Sequence, residues 1–147
     1  MKLGLDFQAE LPDGDPIVLG EPQGIARLLF ILLDNASKYT PPGGVVRLLA
    51  VIEGPRMMIS VSDTGIGIAP EDHVRVFDRF YRVARVDSWA PAGSGLGLAL
   101  AKWIAERHGT ELTVSSELGI GSCFSFSLQL KSPARANDSR LSLTLAR

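Results

Sequence analysis

The chain has 147 residues, 46% hydrophobic and 21% charged, which is enough for one globular domain with its own core and requires no second one. A formal net charge of −1 gives no overall attraction to nucleic acid or to an anionic membrane, so any anion site has to be local. The single cysteine, Cys123, excludes an internal disulfide and a cysteine-rich metal site and fits a reducing compartment. The longest apolar run, Ile25 to Leu33, is broken by Arg27 and is too short to span a membrane, and the first residues lack the pattern of a signal peptide.

Leu3, Leu5 and Phe7 alternate with Lys2, Asp6 and Gln8 and predict an opening strand, followed by the turn-rich stretch Leu11-Pro12-Asp13-Gly14-Asp15-Pro16. From Glu21-Pro22 to Tyr39 the pattern is helical: the proline suits a first turn, and Ile25, Leu28, Leu29, Leu32 and Leu33 recur at spacings of three and four. Phe30 and Ile31 make this helix apolar nearly all round, which predicts burial on most sides. Asn35 and Lys38 lie about one turn apart near its end and share a side. An amide directly after Leu32 and Leu33 needs partners, so Asn35 is either bonded to backbone at the helix end or offered to a ligand. Lys38 either neutralises the helix terminus or pairs an anion. Pro41-Pro42-Gly43-Gly44 stops the helix.

Val45 to Ile52 and Arg56 to Val61 are strands joined as a hairpin at Glu53-Gly54-Pro55. Alternation of Met57, Ile59 and Val61 delivers Asp63 to the rim of the core, where Asp63-Thr64-Gly65-Ile66-Gly67-Ile68 follows. A carboxylate so close to apolar surface must be solvated or accept hydrogen bonds, and paired glycines let a ligand approach the backbone. A polar turn is the plainer reading of the same six residues. Pro70-Glu71-Asp72 starts a short helix through His73, Val76, Phe77 and Phe80, on which Arg75, Arg79 and Arg82 form a basic stripe facing either solvent or an anion.

Arg85 to Ala92 has no period and reads as a mobile loop. It leads into Gly93-Ser94-Gly95-Leu96-Gly97, after which Leu96, Leu100, Trp103 and Ile104 continue a helix to His108-Gly109. Glu111 to Ser115 and Cys123 to Leu130 are closing strands around Glu117-Leu118-Gly119-Ile120-Gly121. Residues 1–131 are thus expected to form the domain. Residues 132–147 read as a poorly ordered tail, within which Leu141 to Leu145 has the pattern of a stray strand.

Three glycines at alternating positions before a helix leave backbone N–H groups at its positive end, which suits the oxygens of a polyphosphate; a flexible hinge is the alternative. Neither the dinucleotide fingerprint nor the P-loop is present. Combined, these parts describe an ATP site. Asp63 accepts a hydrogen bond from the exocyclic amine of adenine, whereas guanine would set an oxygen against it, a penalty of about 1–3 kcal/mol. Gly93, Gly95 and Gly97 cradle the phosphates, Asn35 offers its carbonyl oxygen to Mg²⁺, and Lys38 pairs a phosphate.

Asp34-Asn35-Ala36-Ser37-Lys38-Tyr39-Thr40, Asp63-x-Gly65-x-Gly67, Phe77-Asp78-Arg79-Phe80-Tyr81-Arg82 and Gly93-x-Gly95-x-Gly97 resemble, in this order, the N, G1, F and G2 boxes of sensor histidine kinases. The resemblance covers about residues 3 to 130. It implies an α/β two-layer sandwich of the Bergerat type, shared with Hsp90, MutL and gyrase ATPases: a mixed, mostly antiparallel sheet with about three helices on one face. It also implies that Tyr39 packs on the adenine, that Phe77 to Ala92 is a lid over ATP, that Arg82 reaches the γ-phosphate, and that Ser122 lies near the adenine end. On that basis Asn35, Lys38 and Arg82 are the expected catalytic residues, with Asn35 the metal ligand. Further nucleotide contacts are expected from Tyr39, Asp63, Gly65, Gly67, Ile68 and Ser122, and from Gly93, Ser94, Gly95, Leu96 and Gly97.

Two departures bear on function. Four residues before Asn35 the kinases commonly carry a second asparagine and the related ATPases a glutamate that activates water, but this chain has Ile31, which neither binds metal nor takes a proton. His73 is followed by Val74-Arg75 and His108 by Gly109-Thr110, and neither matches the phosphoacceptor motif of the family. The accepting histidine is therefore expected on a separate dimerisation domain of the same kinase, with a response regulator reached through it. This catalytic part is expected to be monomeric and cytoplasmic, without direct contact to membrane or nucleic acid. Two other readings share the fold: a serine kinase of the anti-sigma-factor type, and a pseudokinase that binds ATP only to gate contacts with a partner.

Overall fold

Apolar alternation in three central strands and a matching stripe on one helix generate the architecture. The computed structural model describes residues 4–81 and 95–131 and, as backbone, residues 144–146. In chain order it has β1 (Asp6–Glu10), β2 (Ile17–Leu19), α1 (Pro22–Lys38), β3 (Val45–Glu53), β4 (Arg56–Asp63), a single 3₁₀ turn (Pro70–Asp72), α2 (Gly97–Arg107), β5 (Thr113–Glu117), β6 (Gly121–Gln129) and β7 (Thr144–Ala146). Five strands form one sheet in the order β1-β3-β4-β6-β5. Within this sheet β1 and β3 run parallel, while β3–β4, β4–β6 and β5–β6 are antiparallel, so the sheet is mixed and mostly antiparallel as expected.

Register sets the core. Ile59 pairs with Phe126 and Val61 with Phe124, and with Met57 and Leu128 these side chains are buried on one face of the sheet. Helix α1 covers that face. Its start is fixed by Pro22 and by the Glu21 carboxylate, which accepts from the N–H groups of Gln23 (3.2 Å) and Gly24 (2.5 Å). Ile25, Leu28, Leu32 and Ala36 form its buried stripe. Helix α2 lies against α1, and Ala101 and Ala105, both fully buried, keep the two helices close.

Three expectations change. Helix α1 is buried along one stripe only: Phe30 is 69% exposed and Leu29, Ile31 and Leu33 are half-buried, because the second layer of the sandwich covers a single side of the helix. The described residues hold two α-helices instead of about three. After Pro70 the bonds Asp72 N–H to Ala69 C=O and His73 N–H to Pro70 C=O close 3₁₀ turns, and the chain ends this segment at Phe80 with φ +64°, which no α-helix admits. Arg75 and Arg79 therefore have no helix to sit on, and Arg82 lies outside the described residues.

The third change concerns the chain's ends. The opening strand begins at Asp6, and β2 was not anticipated. It runs parallel to β7, which overlaps the stray strand expected at Leu141 to Leu145 and gives it a partner, and Val18 also bridges antiparallel to Leu130.

Candidate functional site

A cavity of about 220 Å³ opens between the C-terminal half of α1, the loop after β4, Val76 and Tyr81 in the turns beyond the 3₁₀ turn, and the start of α2. Asn35, Lys38 and Tyr39 reach it from the end of α1, Asp63 from the last position of β4, Gly67 and Ile68 from the loop that follows, Gly95 and Gly97 from the entry to α2, and Ser122 from β6. The sheet register accounts for part of this convergence, because Asp63 and Ser122 are directly paired across β4 and β6. The Tyr39 carbonyl adds to it by accepting the Ile66 N–H at 3.2 Å, which ties the loop to the end of α1.

Asp63 carries the least comfortable charge of the cavity wall. Its Oδ1 accepts the Gly65 N–H at 2.8 Å. Burial pushes the carboxyl above its ordinary value, and the backbone N–H groups of Gly65 and Ser122 only partly offset that. A further donor presented to Asp63 from the cavity would therefore be favourable. At the other end Lys38 Nζ lies 3.0 Å from Asp34 Oδ2, one turn back on α1, and both groups line the cavity. Asn35 is half-buried between them in sequence, with Ile31 on the same wall.

The glycines of the loop serve the protein's own packing. A Cβ on Gly65 would stand 2.3 Å from the Tyr39 carbonyl oxygen, and one on Gly67, where φ is +72°, would stand 2.1 Å from the Glu117 carbonyl oxygen. The space expected to clear a nucleotide is thus filled at both positions by backbone from α1 and from the β5–β6 turn. Gly65 lies behind the wall, and only Gly67 borders the cavity. Leu96 caps the start of α2, is 41% exposed and does not border the cavity. Arg82, Gly93 and Ser94, and the expected lid beyond Tyr81, lie outside the described residues. Phe77, at the start of that expected lid, is half-buried against the core: its ring meets Phe124 edge-to-face, with centroids 6.0 Å apart.

Sequence reasoning missed Phe30, Asp34, Ile66, Val76, Tyr81 and Leu98 among the lining residues and gave Ile31 no place there. For Phe30, Ile31 and Asp34 a signal existed, since they share one helical face with Lys38 and Asn35 at spacings of four. It also missed Ser116, whose Oγ accepts the Ile68 N–H at 2.7 Å and lies 2.8 Å from Ser122 Oγ and 2.9 Å from the Gly121 carbonyl. A lone serine in a strand carries no sequence signal for such a role. Both histidines are held by backbone. His73 Nε2 meets the Ile68 carbonyl at 3.0 Å, and His108 accepts the Glu21 N–H at Nε2 while its Nδ1 faces the Ile104 carbonyl. Among the described residues no group of three His, Cys, Asp or Glu side chains is placed to hold a metal ion.

A five-stranded mixed sheet with both helices against one face, and a cavity at the end of the first helix, is the architecture of histidine kinase catalytic domains. A mycobacterial sensor histidine kinase, MprB, superposes with a TM-score of 0.74 at 30% identity over 89% of this chain and 86% of that one. The model of the histidine kinase-, DNA gyrase B- and HSP90-like ATPase family matches residues 20–132, and the chain belongs to that family. Full-length ShkA in complex with AMPPNP matches with a TM-score of 0.73 at 32% identity, over 90% of this chain and 27% of that one. Among curated relatives, sensor histidine kinase RppB of Synechocystis is 41% identical over 126 residues and SenX3 of Mycobacterium tuberculosis 42% identical over 123. The matches take in 86% and 84% of this chain but only 28% and 30% of those relatives, so it spans less than a third of their length.

Proposed function

We propose that this chain is the ATP-binding catalytic domain of a two-component sensor histidine kinase, which transfers the γ-phosphoryl group of ATP to a histidine on a separate dimerisation domain. The observation that carries the reading is that Asn35, Lys38, Asp63, Gly97 and Ser122, distant in sequence, line one cavity. Asp63 accepts the adenine amine, answering the deficit of donors around its buried carboxyl, and Ser122 stands beside it. Tyr39 and Ile68 flank the nucleotide. Lys38 pairs a phosphate by leaving or sharing Asp34, and the entry to α2 at Gly95 and Gly97 presents N–H groups to the chain of phosphates. Arg82, Gly93 and Ser94 complete the set by resemblance.

The donor set fits Mg²⁺ modestly. The Asn35 amide oxygen is available on the cavity wall, Asp34 is paired with Lys38, and Ile31 adds no oxygen. That suffices for an ion that takes much of its shell from phosphates and water, and when bound it supplies positive charge against the phosphates. Positioning and charge stabilisation are then the protein's contribution, the acceptor imidazole being the nucleophile. The partners are the dimerisation domain and, through it, a response regulator, and the proposed location is the cytoplasm. No helix among the described residues is long and apolar enough to cross a membrane.

Mixing the chain with its histidine-containing dimerisation domain and γ-labelled ATP is expected to yield an acid-labile, base-stable phosphoryl adduct on that domain. An acid-stable adduct would favour a serine kinase. Ile31 on the cavity wall favours one further reading, a module that binds ATP without transferring it. ATP binding with no transfer, gained on Ile31→Asn, would select that reading.

A further inference from the structure

Residues 72–81 carry a cluster that the proposed chemistry leaves unused. The Tyr81 ring lines the cavity, and its hydroxyl donates to Asp72 Oδ1. The Arg75 guanidinium carbon lies 4.8 Å from the centroid of the same ring, and Arg75 Nε stands 3.9 Å from Asp78 Oδ2. Backbone bonds fix the segment as well: Tyr81 N–H donates to the Asp78 carbonyl at 3.2 Å, and Phe80 N–H to the Gly95 carbonyl at 2.9 Å. Phe80 itself sits at φ +64°, the single non-glycine positive φ among the described residues. An aromatic residue is held there only where its surroundings over-determine it.

We propose that Tyr81 is a nucleotide-positioning residue, with Asp72 and Arg75 holding its ring as a preset wall of the cavity against which ATP is seated. The proposal rests on the ATP reading of the cavity. Its physical basis is preorganisation: a tyrosine ring free to rotate would have to be ordered when the nucleotide enters, whereas one already bonded at its hydroxyl and covered by a cation is ordered beforehand. Val76 borders the same side of the cavity, and Val76 N–H donates to the Asp72 carbonyl, so this flank is built as a unit around Asp72.

The Asp72 bond also supplies a direct reporter. It pushes the Tyr81 phenol above its ordinary range, with Asp72 and Glu71 charges adding to the effect and Arg75 opposing it. The chain has two tyrosines, so subtracting the phenolate absorbance titration of Tyr81→Phe from that of the unmodified chain isolates the Tyr81 step.

ATP dissociation constants are measured by displacement of a fluorescent adenine nucleotide for the unmodified chain, Tyr81→Phe, Asp72→Asn and the double variant, with melting curves to confirm that each is folded. Each single change is expected to weaken ATP binding about three- to ten-fold, the scale of one lost hydrogen bond, and the double change no further, since both remove the same bond. In Asp72→Asn the Tyr81 phenolate step is expected to fall toward that of ordinary tyrosine. Unchanged affinity in variants whose titration shows the bond lost, or losses that simply add in the double variant, would overturn the positioning role while leaving the ATP reading standing. Failure of the unmodified chain to bind ATP would overturn both.

Discussion

At Asp63 the cost of burying a charge is tied to one residue. Its carboxyl is raised by burial from the ordinary value of 3.8, so the folded chain holds that proton more tightly than the unfolded chain. Stability contributed by this group is therefore present below the ordinary value and is lost as the pH rises through the raised one. Asp63→Asn is expected to raise the melting temperature of the nucleotide-free chain at neutral pH, by a margin that shrinks as the pH falls toward the ordinary carboxylate range; a lowered melting temperature at neutral pH would mean that the Gly65 and Ser122 N–H groups outweigh burial. Asp63→Ala is expected to abolish ATP binding with the fold retained, which calorimetry and circular dichroism would read together. Gly65→Ala pushes a methyl group against the Tyr39 carbonyl and is expected to destabilise by about 1–3 kcal/mol in denaturant unfolding. The need for glycine at this position was legible in the sequence. That the neighbour is the protein's own backbone was not, because a ligand and a carbonyl exclude a Cβ equally well.

Among the elements, those with one buried face were readable and those defined by partners were not. Helix α1 and strands β3, β4 and β6 announce themselves because burial against a single layer imposes its period on the sequence. Val76, Phe77 and Phe80 show helical spacing for a different reason: Val76 and Phe77 pack inward from turns, while Phe80 is 71% exposed at a left-handed backbone position. Strand β2 has three residues, too few for any period, and exists through Leu130 and β7. The α1–α2 contact offers a check on the helical layer. Ala101→Leu adds volume at a fully buried site and is expected to cost about 1–3 kcal/mol, measured by denaturant unfolding.

For the molecule as a whole, the site is assembled from both ends of the domain, and three of its sequence boxes were legible because each needs unusual residues: an amide in an apolar helix, a carboxylate before paired glycines, and alternating glycines before a helix. What was not legible, Tyr81 and Val76 on the cavity wall and Ser116 bonded to the lining residues Ile68 and Ser122, are ordinary residues whose roles come from tertiary contacts. The two histidines are engaged by the backbone, so the chain incubated alone with γ-labelled ATP is expected to acquire no acid-labile label; label on the isolated chain would point to an acceptor within it. The Asp63–Ser122 register pair also sets limits on length. Inserting one residue between Arg56 and Met57, with the hairpin pairing kept, would turn the Asp63 side chain from the cavity to the opposite face of the sheet and carry Met57, Ile59 and Val61 out of the core with it. Homologous chains can therefore lengthen at the Gly54-Pro55 turn, whereas the count of residues from that turn to Asp63 should stay fixed.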